Sequence, residues 1–540
     1  MVIVISKENA GILNKYTKVE KNYLETAEEL LKGNLKLLKG LETITFEKVP
    51  DWDYKHSISS NTYQLYLHTL NFTKSLIKSY LFHNNLKYVS LAKQIFEDWI
   101  DKNLEQEEKS NYAWYDHTVS SRIQNILFYQ ANVPEYFQIE EKRFSKVFEK
   151  HIKFLSRYKN YTENNHGIMM DRALLISALF YKDNEAKKEA LMLAKNRIEK
   201  AILRDYSYNS THLENSPDYH RMVTNWLNGI VMIFDEIKLP LSNKYKVKLK
   251  NAIDYNGIIS NYNNEYPMIG DTSHGISKIQ KKDIDFIDYE AGIGIFNDKV
   301  MKSTLVFNCG FENLTHKHRD DLSFVLSVNK EQIFIDAGKY NYSKKDPIRQ
   351  YFLSPRAHTT LFVQNETYSL AYDKVIKVES SYIGEDYKII KGIHMGYDNV
   401  TLMRTIVSFN DGSYILIDEA SSPKEKIYVQ NFILNNEIKF KNEAIRKYSL
   451  VTPNNNRYIL QEHSKIATSK IFKGQKSNAM LSKKFNQVED TVRLEIRKKQ
   501  KNTTFLTTFT PENISIEEIK VNSNILTINM DGNIREISLL

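Results

Sequence analysis

The chain has 540 residues, more than one hydrophobic core usually serves, so at least two domains are expected. Hydrophobic residues make up 41% and charged residues 26%, with only 18 glycines and 10 prolines, which excludes a disordered or low-complexity protein. The formal net charge of +9 favours polyanionic partners, but basic and acidic residues alternate along the chain, so charge alone does not choose between nucleic acid, anionic lipid and acidic polysaccharide.

Cysteine content and hydropathy limit the metal chemistry and the compartment. The single cysteine, Cys309, excludes an intrachain disulfide and a zinc site built from several thiolates. The N-terminal apolar run is too short for a signal peptide, and no stretch approaches the roughly 18 apolar residues of a spanning helix. We therefore expect a soluble chain without a membrane span, cytoplasmic, or periplasmic or secreted if a signal was removed. The sequence predicts no particular oligomeric state.

The first half of the chain, from about Val19 to Ile253, has apolar residues at spacings of three and four, as in amphipathic helices. Examples are SLAKQIFEDWI, FSKVFEKHIKFLSRY, MMDRALLISALFY and RMVTNWLNGIVMIFDEI. Short polar breaks separate these runs. Successive helices of similar length predict an α-solenoid or a closed toroid, although the sequence has no fixed repeat period.

From about Tyr289 the pattern changes to period two with β-branched residues. Asp411-Gly412 and Asp531-Gly532 separate such runs and predict tight hairpin turns. Many strands without intervening helices predict stacked antiparallel sheets, a sandwich, rather than an α/β fold. The weakly periodic segment from Pro267 to Asp288 is the natural boundary, so the predicted domains are 1–275, helical, and 276–540, antiparallel β-sheet.

Two polar clusters in the helical half precede apolar helices. Asparagine in the cluster Asn164-Asn165-His166-Gly167 most simply provides a helix N-cap. The second cluster, ENSPDYH, contains Tyr219 two residues after a proline suited to the first turn of a helix. A tyrosine beside a histidine at a helix start can transfer a proton, but both residue types more often pack. Neither cluster is decisive alone.

A third cluster lies in the β half, in the segment HKHRDDLSF. His316 and His318 are alternate residues of an extended segment, so both side chains can point into one site. Asp336 ends the strand-like QIFIDAG, and His358 precedes the strand-like TTLFVQ. Histidine and aspartate at strand ends are suitable ligands for a divalent metal such as zinc. The alternative is a hydrogen-bonded network of the same residues.

Six motifs follow one another along the chain: NNHG, ENSPDYH, PMIGD, HKHRDDLSF, FIDAGKYNYS and RQYFLSPRAHTT. Their order resembles the heparinase II/III superfamily of polysaccharide lyases. The resemblance extends from about Trp114 to Thr360, and its most specific part is the series His-x-His, Asp-x-Gly and Ala-His. It implies a multidomain α+β protein, with an N-terminal (α/α) toroid, an incomplete barrel of helical hairpins, followed by a C-terminal antiparallel β-sandwich domain.

The resemblance also implies catalytic roles. Asn165, helped by His166, would neutralise the carboxylate of a uronate in the substrate. Tyr219 would be the catalytic acid and base, and His316 a second proton-transfer residue. The implied reaction is β-elimination in a uronate-containing acidic polysaccharide or oligosaccharide, such as a glycosaminoglycan, alginate or a bacterial exopolysaccharide.

His318, Asp336 and His358 resemble the metal ligands of the family, where the bound zinc is mainly structural. Lys317 and Arg319 flank the histidines at positions where small residues are commoner in the family. Their positive charge would either assist acidic substrates or weaken cation binding.

Substrate contacts are implied for a further set of residues. Trp114 and Arg122 resemble an aromatic and arginine segment that lines the cleft, and a guanidinium can bind a carboxylate or sulfate through two hydrogen bonds. An arginine on a helix surface is the more frequent explanation. His220 and Tyr342 are the other two candidates for contact with the substrate, and Tyr340 in the same GKYNYS segment is the alternative to Tyr342.

The chemistry explains why these residue types are needed. Removing the C5 proton of a uronate creates negative charge that hydrogen-bond donors can stabilise. One tyrosine can act as base and acid when the proton and the leaving group lie on one face of the sugar, whereas His316 would be a separate base if they lie on opposite faces. Tyr219 would need a pKa lowered from about 10, which positive neighbours can supply.

Three other functions are compatible with the sequence. A glycoside hydrolase would need two carboxylates across the bond, and Asp116, Glu214 and Asp218 are available. A non-catalytic protein of glycan binding or polysaccharide biosynthesis could have the same fold. A nucleic-acid binder is disfavoured, because the chain contains no recognised DNA- or RNA-binding motif.

Overall fold

A computed structural model of the chain describes residues 3–38, 42–57, 60–105, 112–343, 345–464, 466–522 and 524–540. The chain divides into two compact units. The first unit consists of Met1–Arg204 and Trp226–Lys246, and the second of Asp205–Asn225 and Val247–Leu540.

The helices lie almost entirely in the first half of the sequence. They are α1 Lys7–Tyr16, α2 Tyr23–Leu31, α3 Ser60–Thr69, α4 Thr73–His83, α5 Leu86–Ile100, α6 Asp116–Asn132, α7 Glu141–Ser156, α8 Asn165–Ala178, α9 Asn184–Asp205, α10 Pro217–Glu236, α11 Asn243–Ile259 and α12 Pro347–Phe352. Within the first unit, α6 packs against α3, α7 and α8 and is buried along most of its length. None of the helices in the described residues has both the length and the hydropathy needed to cross a bilayer.

Helix α1 begins before the predicted helical region. Ser6 caps it, since its hydroxyl accepts a hydrogen bond from the Asn9 amide while the Asn9 side chain accepts one from the Ser6 amide. Such a reciprocal capping box satisfies two backbone donors at the start of a helix. The helix is short and only weakly apolar, which explains why periodicity did not indicate it.

The strands occupy the second half, apart from one two-residue pair. They are β1 Asn34–Leu35, β2 Ile44–Thr45, β3 Phe286–Asp288, β4 Ile293–Asp298, β5 Ser303–Asn308, β6 Ser323–Val328, β7 Glu331–Phe334, β8 Leu361–Val363, β9 Ile376–Ile383, β10 Tyr387–His394, β11 Thr401–Phe409, β12 Tyr414–Ile433, β13 Lys439–Ala444, β14 Lys447–Val451, β15 Arg457–Glu462, β16 Thr468–Lys473, β17 Met480–Leu481, β18 Glu489–Asp490, β19 Val492–Pro511, β20 Ile516–Asn522, β21 Ile525–Met530 and β22 Asn533–Ser538.

The strands of the second unit form three principal antiparallel sheets. A five-stranded sheet has the order β3-β4-β5-β6-β7. The largest sheet has the order β13-β14-β15-β19-β12-β11-β10-β9, with β16 also paired to β19 and β8 to β12. A three-stranded sheet is formed by β20, β21 and β22. The predicted hairpin turns are confirmed, because Asp411-Gly412 joins the paired strands β11 and β12, and Asp531-Gly532 joins β21 and β22.

Apolar side chains fill the spaces between these sheets. Phe307 and Phe324 of the five-stranded sheet belong to the same buried cluster as Phe432 and Phe509 of the largest sheet. A second cluster joins other residues of the largest sheet to the three-stranded sheet. Burial of apolar surface between sheets is what stabilises such an arrangement. The predicted sequence of elements, helices followed by stacked antiparallel sheets, is confirmed.

The compact units do not coincide with the predicted domain limits. The boundary predicted at 275/276 lies in the irregular segment between α11 and β3, where the periodicity changes. However, the segment 205–225 from the helical half packs with the sheets. One cause is Asn215, whose side-chain amide donates hydrogen bonds to the carbonyls of Asn313 and Thr315 at 2.8 and 2.9 Å.

Candidate active site

An aspartate in the loop after α11 connects the two histidines of the HKH segment. The Asp271 carboxylate accepts hydrogen bonds from His316 Nδ1 at 2.9 Å and from His318 Nε2 at 3.0 Å, and Arg349 of α12 donates to it as well. Burial acts to raise the pKa of Asp271, but the two histidines and the charge of Arg349 outweigh it and hold the pKa well below its ordinary value. Asp271 is therefore an ionised anchor for the cluster.

This contact determines which nitrogen of His316 can act as a base. A carboxylate only accepts hydrogen bonds, so Nδ1 of His316 donates to Asp271 and carries a proton. Nε2 is then the nitrogen that can take a proton from a substrate. Glu214 Oε2 lies 3.7 Å from this atom. A carboxylate that orients a histidine in this way is a common arrangement for proton transfer.

The local backbone brings Asp271 and His316 together. Gly270, in the PMIGD motif, has a φ of +55°, and a Cβ there would lie 2.3 Å from the Asn215 carbonyl oxygen and 2.9 Å from that of His316. His316 itself has a φ of +60°. A left-handed conformation costs a non-glycine residue about 1–3 kcal/mol and is found preferentially at functional sites. Glycine at position 270 therefore permits the close approach of the two loops.

Tyr219 lies in the first turn of α10 and stacks on His316. The ring centroids are 3.4 Å apart and the ring planes are inclined by 21°. The Tyr219 hydroxyl is 3.3 Å from that of Tyr342. Two rings in direct contact leave no space for a sugar between them, because a ring inserted there would need about 7 Å. The two groups therefore face a substrate from the same side.

The predicted lowering of the Tyr219 pKa is wrong. Burial raises the pKa of Tyr219, the hydrogen bond with Tyr342 lowers it by less, and the negative charges of Asp271, Glu214 and Asp218 raise it further. The phenol of Tyr219 is consequently protonated at neutral pH. In this state it can donate a proton but cannot accept one.

A lysine lies beside the tyrosine hydroxyls. Lys339 Nζ is 3.3 Å from the Tyr342 hydroxyl and 3.7 Å from the Asp218 carboxylate. Tyr342 is 47% exposed, so part of its side chain is accessible to solvent. This position agrees with contact to a substrate, which stays a prediction for Tyr342.

In the first compact unit, the NNHG cluster starts helix α8. The predicted capping is done by Asn164, whose side-chain oxygen accepts a hydrogen bond from the His166 amide at 2.8 Å. Asn165 is half-buried, and its side-chain amide makes no hydrogen bond to any residue in the described part of the chain. The side chain of Asn165 is thus available to a ligand.

His166 is oriented by a buried carboxylate. Its Nδ1 lies 3.1 Å from Asp116 Oδ1, and Asp116 also accepts hydrogen bonds from Thr162 Oγ1 and from the His117 amide. Burial raises the pKa of Asp116, but these partners outweigh it and the net shift is downward. A Cβ at Gly167 would lie 2.1 Å from the Thr162 carbonyl oxygen, so glycine is required there.

A buried group of acidic and histidine side chains in the second unit could hold a metal ion. Asp320, Asp336 and His358 each offer a ligand atom, and these atoms lie within 4.8 Å of one another. His358 Nδ1 is 2.7 Å from Asp336 Oδ2, while His358 Nε2 and Asp320 Oδ2 are buried without a hydrogen-bond partner among the described residues. Unsatisfied buried atoms of these types fit a cation.

His318, the third predicted ligand, has a different environment. Its Nε2 is held by Asp271, and its Nδ1 is buried without a hydrogen-bond partner among the residues that the structure describes. The His318 and His358 rings are 5.4 Å apart, centroid to centroid. Ligation by His318 stays a prediction, and Asp320 is the candidate ligand that sequence reasoning missed.

Lys317 is an internal cation. Its ammonium group donates to Asp320 Oδ1 at 2.6 Å and to Asp321 Oδ1 at 3.0 Å, and its side chain is 1% exposed. The predicted assistance to acidic substrates is therefore wrong for Lys317, since a buried ammonium cannot reach a polymer. Instead its ammonium group holds one oxygen of Asp320 and one of Asp321, and weakened cation binding stays the open alternative.

Family models match both halves of the chain. One described as Heparinase II/III N-terminus matches residues 5–296, and one described as Heparinase II/III-like, C-terminal, matches residues 289–521. The chain belongs to the heparinase II/III family. The resemblance indicated by the six ordered motifs is thus confirmed.

Relatives within and near the heparinase II/III family support this assignment. A heparin-sulfate lyase of Bacteroides thetaiotaomicron is 20% identical over 436 residues, which is 68% of this chain and 60% of the relative. The chain thus spans 60% of the length of this curated relative. A crystal structure of heparinase III matches 99% of this chain and 98% of its own, with 15% identity and a TM-score of 0.81. The crystal structure of a heparan sulfate lyase of Pedobacter heparinus matches 98% of this chain over 94% of its own length, with 16% identity and a TM-score of 0.75. These structures confirm the predicted fold class.

Arg122 and His220 do not occupy the positions expected of substrate-binding residues. Arg122 is completely buried, with its guanidinium 3.8 Å from the Trp99 ring and hydrogen bonds to His151 Nε2 and the His68 carbonyl. We therefore correct the predicted substrate contact: Arg122 is a core residue of the helical unit. Stacking on an aromatic ring stabilises a buried guanidinium.

His220 is buried as well, in the second unit. Its Nδ1 accepts a hydrogen bond from the His212 amide and its Nε2 donates to the Ala252 carbonyl. Burial lowers its pKa to about 4, so the ring is neutral. Both nitrogens are occupied, and the predicted substrate contact is corrected to a structural role. Trp114, in the first unit, is half-buried, and Lys150 Nζ lies 4.2 Å from its ring.

Proposed function

We propose that the protein is a glycosaminoglycan lyase that cleaves at a glucuronate by β-elimination. The observation that carries the proposal is the stack of Tyr219 on His316, with His316 oriented by the buried carboxylate of Asp271. This arrangement supplies a base and an acid side by side. Membership of the heparinase II/III family and the named activity of its relatives support the same reaction class.

The proposed reaction has two proton transfers. His316 Nε2 takes the C5 proton of the uronate, and the electron pair forms the C4–C5 double bond as the bond from C4 to the glycosidic oxygen breaks. Tyr219 gives its phenolic proton to that oxygen. The imidazolium of His316 then returns a proton to the Tyr219 phenolate, and no water is consumed. The raised pKa of Tyr219 supports its role as the acid.

Asn165 and His166 are proposed to bind the uronate carboxylate. Neutralising that carboxylate makes the C5 proton more acidic, because the negative charge left after proton removal spreads onto the carboxylate. The unoccupied amide of Asn165 and the orientation of His166 by Asp116 support this role.

The geometry also bears on the epimer of the substrate. In a D-glucuronate the C5 proton and the C4 oxygen lie on the same face of the ring, whereas in an L-iduronate they lie on opposite faces. Tyr219 and His316 are in contact and approach from one side, which supports glucuronate. The relatives named as heparin or heparan sulfate lyases support a heparan-type chain over alginate or a bacterial exopolysaccharide.

A panel of polysaccharides tests the proposed function. Heparosan, the unsulfated polymer of glucuronate and N-acetylglucosamine, is expected to yield unsaturated uronate ends that absorb in the ultraviolet. Dermatan sulfate, rich in iduronate, is expected to yield none. Reducing ends that appear without ultraviolet absorbance would indicate a hydrolase and contradict the proposal. The lowered pKa of Asp116 argues against it as the acid of a hydrolase.

We further propose that Asp320, Asp336 and His358 hold a structural zinc ion. A divalent ion there would satisfy the buried atoms of His358 and Asp320 and stabilise the strand ends that carry them. Burial and the charge of Lys317 act to lower the pKa of His358, but the carboxylates of Asp336 and Asp320 raise it overall.

Metal removal tests this proposal. We expect about one equivalent of zinc per chain by elemental analysis, and a fall in the melting temperature of about 5 °C on chelation that added zinc reverses. Asp320→Asn should lose the zinc and the chelator effect. Asp398→Asn, at an exposed aspartate of the same unit, should keep both. A zinc-free protein whose melting temperature ignores the chelator would contradict the site.

A further inference from the structure

A pocket in the first compact unit has a cationic lining that the proposed chemistry does not use. It has a volume of about 250 Å³, and its lining residues include Lys74, Arg172, Trp226, Met169 and Gln124. All of its lining residues belong to the first unit. Small-molecule sites usually have volumes of about 300–1,000 Å³, so this pocket suits one monosaccharide-sized ligand. We call it the Lys74 pocket.

Lys74 and Arg172, the two half-buried cations of the Lys74 pocket, lack an acidic partner in contact. Arg172 donates hydrogen bonds to the Gln124 side chain and the Tyr16 carbonyl, both of which are neutral acceptors. Lys74 forms no hydrogen bond or ion pair with any residue in the described ranges, and the nearest acidic influence on it is the exposed Glu20. Half-buried cations without a counter-ion are costly, and a bound anion would offset that cost.

The titration behaviour of both groups agrees with this shortage of negative charge. Burial lowers the pKa of Lys74, the charge of Arg172 lowers it further, and Glu20 acts in the opposite direction. Burial also lowers the pKa of Arg172. An oxyanion placed between the two side chains would favour both charged forms.

The rest of the lining suits a sugar. Trp226 offers an aromatic ring and a ring N–H, and Asn71, Asn125 and Ser121 offer polar groups. Aromatic and amide side chains together are the usual means of holding a hydroxylated ring. Met169 and Arg172 follow Asn165 by four and seven residues on α8, so they lie on the same face of that helix. The pocket therefore continues the face that carries Asn165.

We propose that the Lys74 pocket binds a single anionic sugar unit, with its carboxylate or sulfate held between Lys74 and Arg172. The inference that the ligand is a sugar rests on the proposed function, whereas the inference that it is an anion rests on Lys74 and Arg172 alone. It would be a binding site in the helical unit beyond the residues that transfer protons, and it would select acidic over neutral sugars.

Fluorescence titration tests the proposal, since Trp226 lines the pocket. The probes are glucuronate, N-acetylglucosamine 6-sulfate, glucose and inorganic sulfate, none of which requires turnover. We expect saturable millimolar binding of the two acidic sugars and none of glucose. Lys74→Gln should weaken that binding about tenfold or more, and Lys74→Arg should largely retain it. Lys78→Gln removes an exposed charge from the same helix and should change nothing.

Several outcomes would overturn the Lys74 pocket as a sugar site. These are no saturable binding, equal binding of glucose and glucuronate, or equal weakening by Lys74→Gln and Lys78→Gln. Inorganic sulfate binding as tightly as the sulfated sugar would refute the sugar and leave a simple oxyanion site. Melting temperatures of the variants exclude a folding defect. Because the probes are not cleaved, these results are independent of whether the polysaccharide panel yields unsaturated ends.

Discussion

Replacing Tyr219 by phenylalanine is expected to lower kcat on a glucuronate polymer by about 10³-fold or more, with KM changed by less than about threefold. The substitution removes only the hydroxyl, which we propose as the proton donor to the glycosidic oxygen, and general acid catalysis commonly contributes about 10²–10⁴-fold. The stack of the ring on His316 should survive, so the variant should fold normally. Initial rates of ultraviolet absorbance and a melting curve measure both quantities.

Matched variants make the Tyr219 result specific. Tyr208→Phe removes the hydroxyl of a tyrosine in the same unit that is 91% exposed, and it should leave kcat unchanged. Tyr342→Phe removes the hydroxyl that is 3.3 Å from Tyr219 and should cost about tenfold. Asn165→Ala should lower kcat by about 10²-fold through the lost carboxylate contact. If Tyr219→Phe keeps more than a tenth of the activity, Tyr219 is not the proton donor.

The pH profile distinguishes an acid from a base at this position. The pKa of Tyr219 is raised above its ordinary value, so the phenol stays protonated up to at least about pH 10. If Tyr219 acts as the acid, kcat should not rise between about pH 8 and 10. A steady rise over that range would mean that the phenolate is the active form, and would contradict the assignment of His316 as the base.

The second large effect is expected for Asp271→Asn, which should lower kcat by about 10²–10³-fold and destabilise the fold by about 3–5 kcal/mol. Asp271 receives hydrogen bonds from His316, His318 and Arg349, and all of these groups are largely buried. The asparagine side chain is neutral and cannot balance the charge of Arg349. Its NH₂ group cannot accept a hydrogen bond, so one of the two histidines loses its acceptor. Urea unfolding measures the loss of stability, and kcat measures the loss of histidine orientation.

The pH dependence of stability follows from the direction of the Asp271 shift. Its folded-state pKa is depressed below the ordinary value, so its contribution is fully present at neutral pH and is lost only as the pH falls through the folded-state pKa in strong acid. The difference in stability between the wild type and Asp271→Asn should therefore be constant above about pH 5.

A surface aspartate is the matched control for Asp271. Asp254 also contacts two cations, Lys250 and Lys282, but at the protein surface. Asp254→Asn should cost less than about 1 kcal/mol and leave kcat unchanged. If Asp271 acts by positioning His316, kcat should fall in Asp271→Asn with little change in KM, because the substrate still binds while the base loses its orienting partner. An unchanged kcat with reduced stability would make Asp271 a structural residue only.

Much of the fold could be predicted from the sequence, because periodicity is a local property. The change from spacings of three and four to alternation marked the transition from helices to strands, and the two Asp-Gly pairs marked hairpin turns. The ordered motifs also indicated the family, and they contained the residues that stack and bond in the site. Tyr219 and His316 both belong to these motifs.

Other features depended on contacts between residues distant in the sequence. Asp271 was visible only as the end of a short motif, and its connection to His316, His318 and Arg349 spans 45–78 residues of chain. A position on a helix surface was the more frequent explanation for Arg122, yet it is buried between Trp99 and His151. Whether a side chain is buried or reaches solvent is decided by the segments that pack over it.

By itself the sequence determined the order of helices and sheets, the family, and the residue types proposed to transfer protons, since all of these are encoded in neighbouring positions. Only the tertiary structure decided the direction of the Tyr219 pKa shift, the nitrogen of His316 that contacts Asp271, and the stack of the two rings. Each of these depends on the burial and charge that surround a group, and those are supplied by segments far away along the chain.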